Sequence, residues 1–122
     1  MKKSDFQFLM SRHFPVQSHQ VVEELIQAHN VQLRMVYGRN RSFGYFRPAT
    51  KRLPDCISIN GELNVFSSLL IFLHEYAHLL NWKAHGKKVP SHGAVWKELY
   101  GKLIRRFVEL GCFHPSLDGE LV

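Results

Sequence analysis

Apolar residues between positions 17 and 29 recur every three or four positions, the spacing of one helix face. An amphipathic helix is therefore predicted over residues 17–29, with Asn30 placed to end it. A shorter helix is predicted before it, over residues 4–10, ending on the approach to Pro15. The chain thus opens with two helices, of which the second should turn its apolar face toward a core.

After residue 30, apolar residues recur at every second position instead of every third or fourth. Val31, Leu33 and Met35 alternate with polar residues, which predicts a half-buried strand. Two further strands are predicted at residues 42–47 and 56–60, each preceded by turn or loop residues. Together they predict a small, largely antiparallel three-stranded sheet whose outer edge is basic and aromatic.

Two longer helices are predicted in the second half of the chain. The first, over residues 65–82 with Asn64 as its cap, is apolar around most of its circumference and should be buried. Ser91 can cap the second, and Gly111 stands where a helix-ending glycine belongs. Helices and strands in separate runs indicate an α+β fold, with the sheet packed on the helices.

Length and composition narrow the class of protein. The 122 residues suit one domain, taken as 1–122, and are too few for two at roughly 150 residues each. The longest apolar run, residues 69–73, is far shorter than the roughly 20 residues that cross a bilayer, so a membrane protein is not expected. Two cysteines without C-x-x-C spacing and the absence of a visible secretion signal favour a cytoplasmic location.

Positive charge is concentrated in one part of the chain. The net charge is +6, and residues 25–54 contain no acid but several cations interleaved with aromatic residues. Cations bind phosphates and aromatic rings stack on unpaired bases, which favours single-stranded DNA as a partner. A solvated basic surface over an aromatic core is the alternative. The residues predicted to bind DNA are Arg39, Arg41, Phe43, Tyr45, Arg47, Lys51 and Arg52.

Residues 74–78, His-Glu-Tyr-Ala-His, form an H-E-x-x-H motif inside the predicted buried helix. Residues four apart on a helix share a face, so both imidazoles can reach one cation, with Glu75 beside them. Burying these polar groups among leucines is costly unless they have partners, and a Zn²⁺ ion would supply them. Tyr76, Trp82 and Trp96 are expected to serve in packing.

The spacing leaves the third zinc ligand open. His85 lies one position off the metzincin motif, and Asn81 stands where that motif requires glycine, so His85 is disfavoured. Glu98 lies 20 residues after His78, as in thermolysin-like His₂Glu sites. His92 could reach the same groove from the start of the last helix.

The segment FLHEYAHLLNWKAHGKKVPSHGAVW resembles the SprT-like family, which includes the Spartan proteases. The upstream stretches GYFRP, CISIN and GELN resemble the strands that precede the metal helix in bacterial members. The similarity covers residues 31–110. Many bacterial relatives continue into a cysteine-rich zinc ribbon, which these residues lack, and Cys112 and His114 do not replace it.

The resemblance implies a zincin-like minimal metalloprotease core and a function. His74, His78 and His92 would bind Zn²⁺, and Glu75 would act as general base in the hydrolysis of a protein or peptide. The strand at 42–47 is expected to pair with an extended substrate. Because Spartan-type enzymes degrade proteins crosslinked to DNA, the resemblance also implies DNA-associated substrates.

Two other functions remain open from the sequence. One is a nucleic-acid-binding module with a purely structural zinc and no peptidase activity. The other is an enzyme fragment that needs a partner or a recruiting domain. Glu75 favours the enzyme, because a structural zinc site has no use for a carboxylate that is not a ligand.

Overall fold

A computed structural model of the chain describes residues 2–38 and 42–113. The helices in this part are α1 (Lys3–His13), α2 (His19–Ala28), α3 (Val65–His85) and α4 (Ala94–Glu109). The strands are β1 (Gln32–Val36), β2 (Gly44–Arg47) and β3 (Cys56–Asn60), and a 3₁₀ turn at Val16–Ser18 leads into α2. The fold is therefore α+β, as predicted.

The sheet is mixed, so the prediction of a largely antiparallel sheet is wrong. Its strand order is β1-β3-β2, with β3 parallel to β1 and antiparallel to β2. The chain reverses direction twice between β1 and β3, which restores the original direction. Strand β3 carries the most buried residues of the sheet, including Ile57 and Ile59 at 0% and 1% exposure, and so takes the central position.

The capping of the long helices differs from the prediction at one point. Asn64 caps α3 as predicted, since its side chain accepts a hydrogen bond from the Ser67 N–H at 2.9 Å. Helix α4 begins only at Ala94, after Gly93, so the prediction that Ser91 caps it is wrong. Ser91 belongs instead to the turn that leads into the helix.

Helices α2 and α4 end in the same way, at the residues predicted to end them. Asn30 and Gly111 both adopt a left-handed conformation, with φ of 52° and 80°. In each case the next N–H returns to a carbonyl of the last helical turn, from Val31 to Ile26 and from Cys112 to Phe107. These bonds satisfy carbonyls that would otherwise lack partners at the helix ends.

One hydrophobic cluster joins the inner face of the sheet to the helices. Leu33, Ile57 and Ile59 face this core and are nearly inaccessible, whereas Arg34 and Tyr45 on the opposite face are exposed. The strand register places both exposed residues beside Ser58, in one row across the sheet. None of the helices in the described residues has the length and apolar character needed to span a membrane.

Candidate metal centre

Helix α3 presents two histidines side by side. His74 and His78 lie one turn apart, and their ring centroids are 4.9 Å apart. The helix is held in place by deeply buried neighbours on its other faces, among them Leu73, Tyr76 and Ala77. Because these buried residues hold the helix against the core, the two imidazoles have a defined direction into a surface cleft.

His92 completes a cluster of three imidazoles. Its Nε2 atom lies 2.9 Å from His78 Nε2 and 3.4 Å from His74 Nε2. Nitrogens bound to one tetrahedral zinc at about 2.0–2.1 Å would be roughly 3.3 Å apart. The donor atoms and their spacing therefore fit a metal ion, and the three histidines lie close enough to bind one.

A tight turn at residues 90–93 places His92 beside His74 and His78. The Gly93 N–H donates to the Pro90 carbonyl at 3.3 Å, and Gly93 then caps α4. A Cβ atom at Gly93 would lie only 3.2 Å from Pro90 Cβ, which is tighter than most real contacts. Glycine therefore lets the chain fold closely around the residue that supplies the third imidazole.

The indole ring of Trp96 packs against all three histidine rings. Its indole stacks on His78 at 5.2 Å between centroids and meets His74 and His92 edge to face, both at 4.8 Å. Its Nε1–H also donates to the His74 carbonyl at 3.3 Å. Trp96 is 7% exposed, so it packs as predicted, but sequence reasoning missed that the packing is against the three histidines. The H-G-x-x-W spacing, one helical turn from His92, is the signal that could have found it.

Glu75 is buried between the histidines and the sheet. It is 8% exposed, and its Oε2 lies 3.9 Å from His74 Nε2. Desolvation by burial raises the pKa of its carboxyl group to about 7. A Cβ atom at Gly44 of β2 would lie 3.3 Å from both Glu75 Cγ and Oε2. Gly44 was not predicted to matter for the site, yet its missing side chain lets β2 approach this carboxyl group.

Burial also affects the histidines. It lowers the pKa of His78 to about 4, with smaller contributions from His74 and His92. The pKa of His74 is lowered by burial and then by His92. Lowered pKa values favour the neutral imidazoles, which are the form that binds a metal.

The histidines and Glu75 open onto a cleft of about 650 Å³ between β2 and α3. The cleft continues past the histidines to Asn81, Trp82 and Lys87. Asn81 is 4% exposed and its Oδ1 has no hydrogen-bond partner among the described residues. Sequence reasoning gave Asn81 no part in the site, but its position three residues after His78 places it on the same helix face.

The two rival ligands lie outside the cluster. Glu98 is exposed on α4 and pairs with Lys102 at 3.3 Å. His85 is exposed at the end of α3. Neither belongs to the group of side chains that could share an ion with His74 and His78.

The predicted DNA-binding residues are only partly brought together. Phe43 and Tyr45 are 65% and 60% exposed, whereas Arg47 is half-buried and donates to the Pro48 carbonyl at 3.5 Å. Lys51 and Arg52 are exposed on the loop after β2. Two of the predicted residues, Arg39 and Arg41, lie outside the described residues.

Comparison with protein-family models, with curated proteins and with solved structures finds no match to this chain.

Proposed function

We propose that the protein is a zinc-dependent peptidase of the SprT-like kind, with a zincin-like core. The observation that carries the proposal is the convergence of His74, His78 and His92 on one point, with the buried carboxylate of Glu75 beside it. A purely structural zinc site is closed by four protein ligands and needs no neighbouring base. Three imidazoles that open onto a cleft match the catalytic arrangement instead.

The free edge of β2 supports binding of an extended substrate. The Asn60 N–H donates to the Phe43 carbonyl, so in this antiparallel ladder residues 43, 45 and 47 face β3. The backbone groups of Gly44 and Phe46 then point away from the sheet, and both residues line the cleft. A peptide that pairs with them would run past Glu75 and the histidines.

In this proposal Glu75 acts as the general base. Its carboxylate accepts a proton from the attacking water and later passes it to the leaving amine. A bound zinc would supply Lewis acidity at the scissile carbonyl group. Seating β2 against Glu75 through Gly44 keeps the base at the edge of the histidine cluster, where a substrate on β2 would meet it.

Metal binding tests the ligand set. Purified protein should hold about one zinc per chain, and His92→Ala should lose it, while Glu98→Ala should retain it. Both residues are exposed and lie at or near the start of α4, so Glu98→Ala is a matched control. Loss of zinc from Glu98→Ala, with retention in His92→Ala, would contradict the proposed ligands.

Replacing the base tests the enzyme. Glu75→Gln should keep zinc and fold but lose hydrolysis of unfolded protein substrates by about 100-fold or more. Glu98→Gln makes the same chemical change outside the cluster and should leave activity unaltered. If Glu75→Gln hydrolyses substrate as fast as the wild type, the general-base role is wrong. If zinc-loaded wild type hydrolyses none of these substrates, with or without DNA, the structural-zinc alternative is favoured.

A second candidate function is the binding of single-stranded DNA, which would recruit DNA-associated substrates. The observation that favours it is the exposure of Phe43 and Tyr45, since a ring that belongs to the core would be covered. Alternation along β2 places Tyr45 and Arg47 on the outer face, where Tyr45 shares a row with Arg34. Exposed rings beside guanidinium groups suit stacking on bases and contact with phosphates.

Binding of labelled oligothymidine, followed by fluorescence anisotropy, tests this candidate. Tyr45→Ala should weaken binding by about 1–3 kcal/mol without lowering the melting temperature. Phe66→Ala removes another exposed ring, 41% exposed at the start of α3, and should leave binding unchanged. Equal binding by wild type and Tyr45→Ala would contradict the role of the ring. No binding by the wild type at low salt would remove DNA from the proposed function and leave the peptidase proposal intact.

A further inference from the structure

The edge of the sheet opposite the cleft is formed by β1, and it carries unpaired backbone groups. The Gln32 N–H donates to the Asp55 carbonyl at 2.8 Å, and the Val36 carbonyl accepts from the Gly61 N–H at 2.9 Å. Alternate residues of a parallel strand face its partner, so the backbone groups of Leu33 and Met35 point away from β3. No strand of the described residues pairs with this edge.

A groove of about 720 Å³ runs along this edge, between β1 and helix α1. Its apolar wall includes Phe6 and Leu9 of α1 and Ile26 of α2. Leu33 and Met35, whose N–H and C=O groups point outward, both line this groove, so a strand that enters it can reach these groups. Buried backbone groups without partners are costly, and a free strand edge is a template for another strand.

The charges around the groove indicate the chemistry of a partner. Arg12 and Arg34 line it together with a single acid, Asp5. Arg34 projects from the outer face of β1, whereas Leu33 and Met35 turn toward the core side. On a strand added beside β1, side chains alternate in the same way. Every second residue would therefore lie against the apolar wall, and the residues between them would lie beside Arg34.

We propose that β1 is a docking edge for a partner polypeptide, which adds an extended segment of alternating apolar and acidic residues to the sheet. The segment pairs with the backbone of Leu33 and Met35 and fills the groove with its apolar side chains. This edge is separated from the substrate cleft by β3 and β2, so the inference does not depend on the peptidase proposal.

A fluorescein-labelled peptide of alternating valine and glutamate provides the probe. Its binding is followed by anisotropy with the Glu75→Gln chain, so that hydrolysis cannot remove it. Met35→Pro deletes one outward N–H without touching the ladder to β3, a change that an edge strand tolerates. Met35→Ala is the matched control, since it also removes the methionine side chain but keeps the N–H. Met35→Pro should weaken binding about tenfold more than Met35→Ala does, the value of one hydrogen bond.

The charge requirement is tested separately. Arg34→Glu should weaken binding about tenfold, whereas Arg105→Glu, on the exposed surface of α4, should not. A peptide of alternating valine and lysine should bind more weakly than the glutamate peptide. Equal affinity for the two peptides, or equal effects of the two arginine variants, would overturn the proposed chemistry of the partner.

Amide hydrogen exchange locates the bound segment and needs no variant. The glutamate peptide should slow exchange at Leu33 and Met35 and leave Gly44 and Phe46 unchanged. Protection at Gly44 and Phe46 alone would place the peptide in the substrate cleft and overturn this inference while supporting the peptidase proposal. Failure of the peptide to bind at any concentration up to about 1 mM, which corresponds to about 4 kcal/mol, would also overturn it.

Discussion

Replacing Gly44 by alanine would push β2 away from α3. The added Cβ atom would overlap Ile71 Cγ2 and lie 3.3 Å from Glu75 Cγ and Oε2. Ile71 belongs to the helix that carries His74 and His78, and its branched side chain packs against the hydrophobic cluster. The strand cannot therefore accept the new methyl group without shifting, and the shift changes the distance between the cleft wall and Glu75.

The size of the effect follows from two opposing contributions. Overpacking costs about 1–3 kcal/mol, and overlap with a packed methyl group places this site near 3 kcal/mol. Alanine restricts the unfolded chain more than glycine does, which stabilises the folded state by about 0.7 kcal/mol. The net loss is about 2 kcal/mol. With an unfolding entropy of about 2.1 cal/mol/K per residue, the melting temperature of a chain of this length should fall by about 8 °C.

Thermal unfolding followed by circular dichroism measures this shift. Gly101→Ala is the matched control, because the nearest atom to its new methyl group is Arg105 Nη1 at 3.8 Å. That variant should melt about 4 °C higher, since alanine is favoured over glycine by about 1 kcal/mol within a helix. Zinc binding by Gly44→Ala should be retained, because Gly44 contributes no ligand.

A double-mutant cycle identifies the clash. Ile71→Ala removes the overlapping methyl group, so Gly44→Ala should cost less than about 1 kcal/mol in that background. The predicted clash is refuted if Gly44→Ala melts at the same temperature as the wild type, or if its cost in stability is the same with and without Ile71. Either result would mean that β2 is not held against α3 at this point.

Three further predictions concern the proposed zinc site. Removal of zinc by a chelator should lower the free energy of unfolding by about 4 kcal/mol at zinc concentrations a thousandfold above the dissociation constant; identical melting with and without zinc would exclude a folded-state site. Trp96→Phe loses the indole hydrogen bond to His74 and should weaken zinc binding about tenfold; unchanged affinity, measured by competition with a chromophoric chelator, would contradict a supporting role. In the zinc-free protein the contribution of His78 to stability should fall as pH falls from about 6.5 to about 4, because its folded-state pKa lies below its ordinary value and the folded state then binds fewer protons. Glu75, whose pKa is raised to about 7, contributes with the opposite sign over much of this range, so the His78 effect is measured as a difference between variants. Relative to the wild type, His78→Gln should therefore gain stability as pH falls across this range, and a stability difference that does not change with pH would contradict this assignment.

The parts of the site that depend on one helix could be predicted from the sequence. His74 and His78 share a face because helix geometry places residues four apart together, whatever the rest of the chain does. The third histidine could not be derived from spacing alone. Whether His92 or Glu98 approaches the pair depends on how α4 packs against α3 and where α4 begins, and both are set by tertiary contacts such as those of Trp96.

In the sheet, too, one part could be predicted from the sequence and another could not. Alternation in sequence identified the strands, because each strand turns one face toward the core. It could not give their order, since pairing depends on contacts between distant residues. The close approach of Gly44 to α3 was equally invisible, because a glycine in a strand pattern marks a close contact without naming its partner.

The connection between α3 and α4 carries a consequence for the lifetime of the protein. His78 and His92 lie 14 positions apart in the sequence, so an ion bound by both would cross-link the two ends of the segment between them. A cross-link that closes a loop of about 15 residues removes about 3 kcal/mol of chain entropy from the unfolded state. Lys87 and Lys88 lie exposed within this segment, where a trypsin-like protease would cut. The rate of that cleavage should therefore depend on whether an ion is bound by His78 and His92. A chain that has lost its ion should be degraded first.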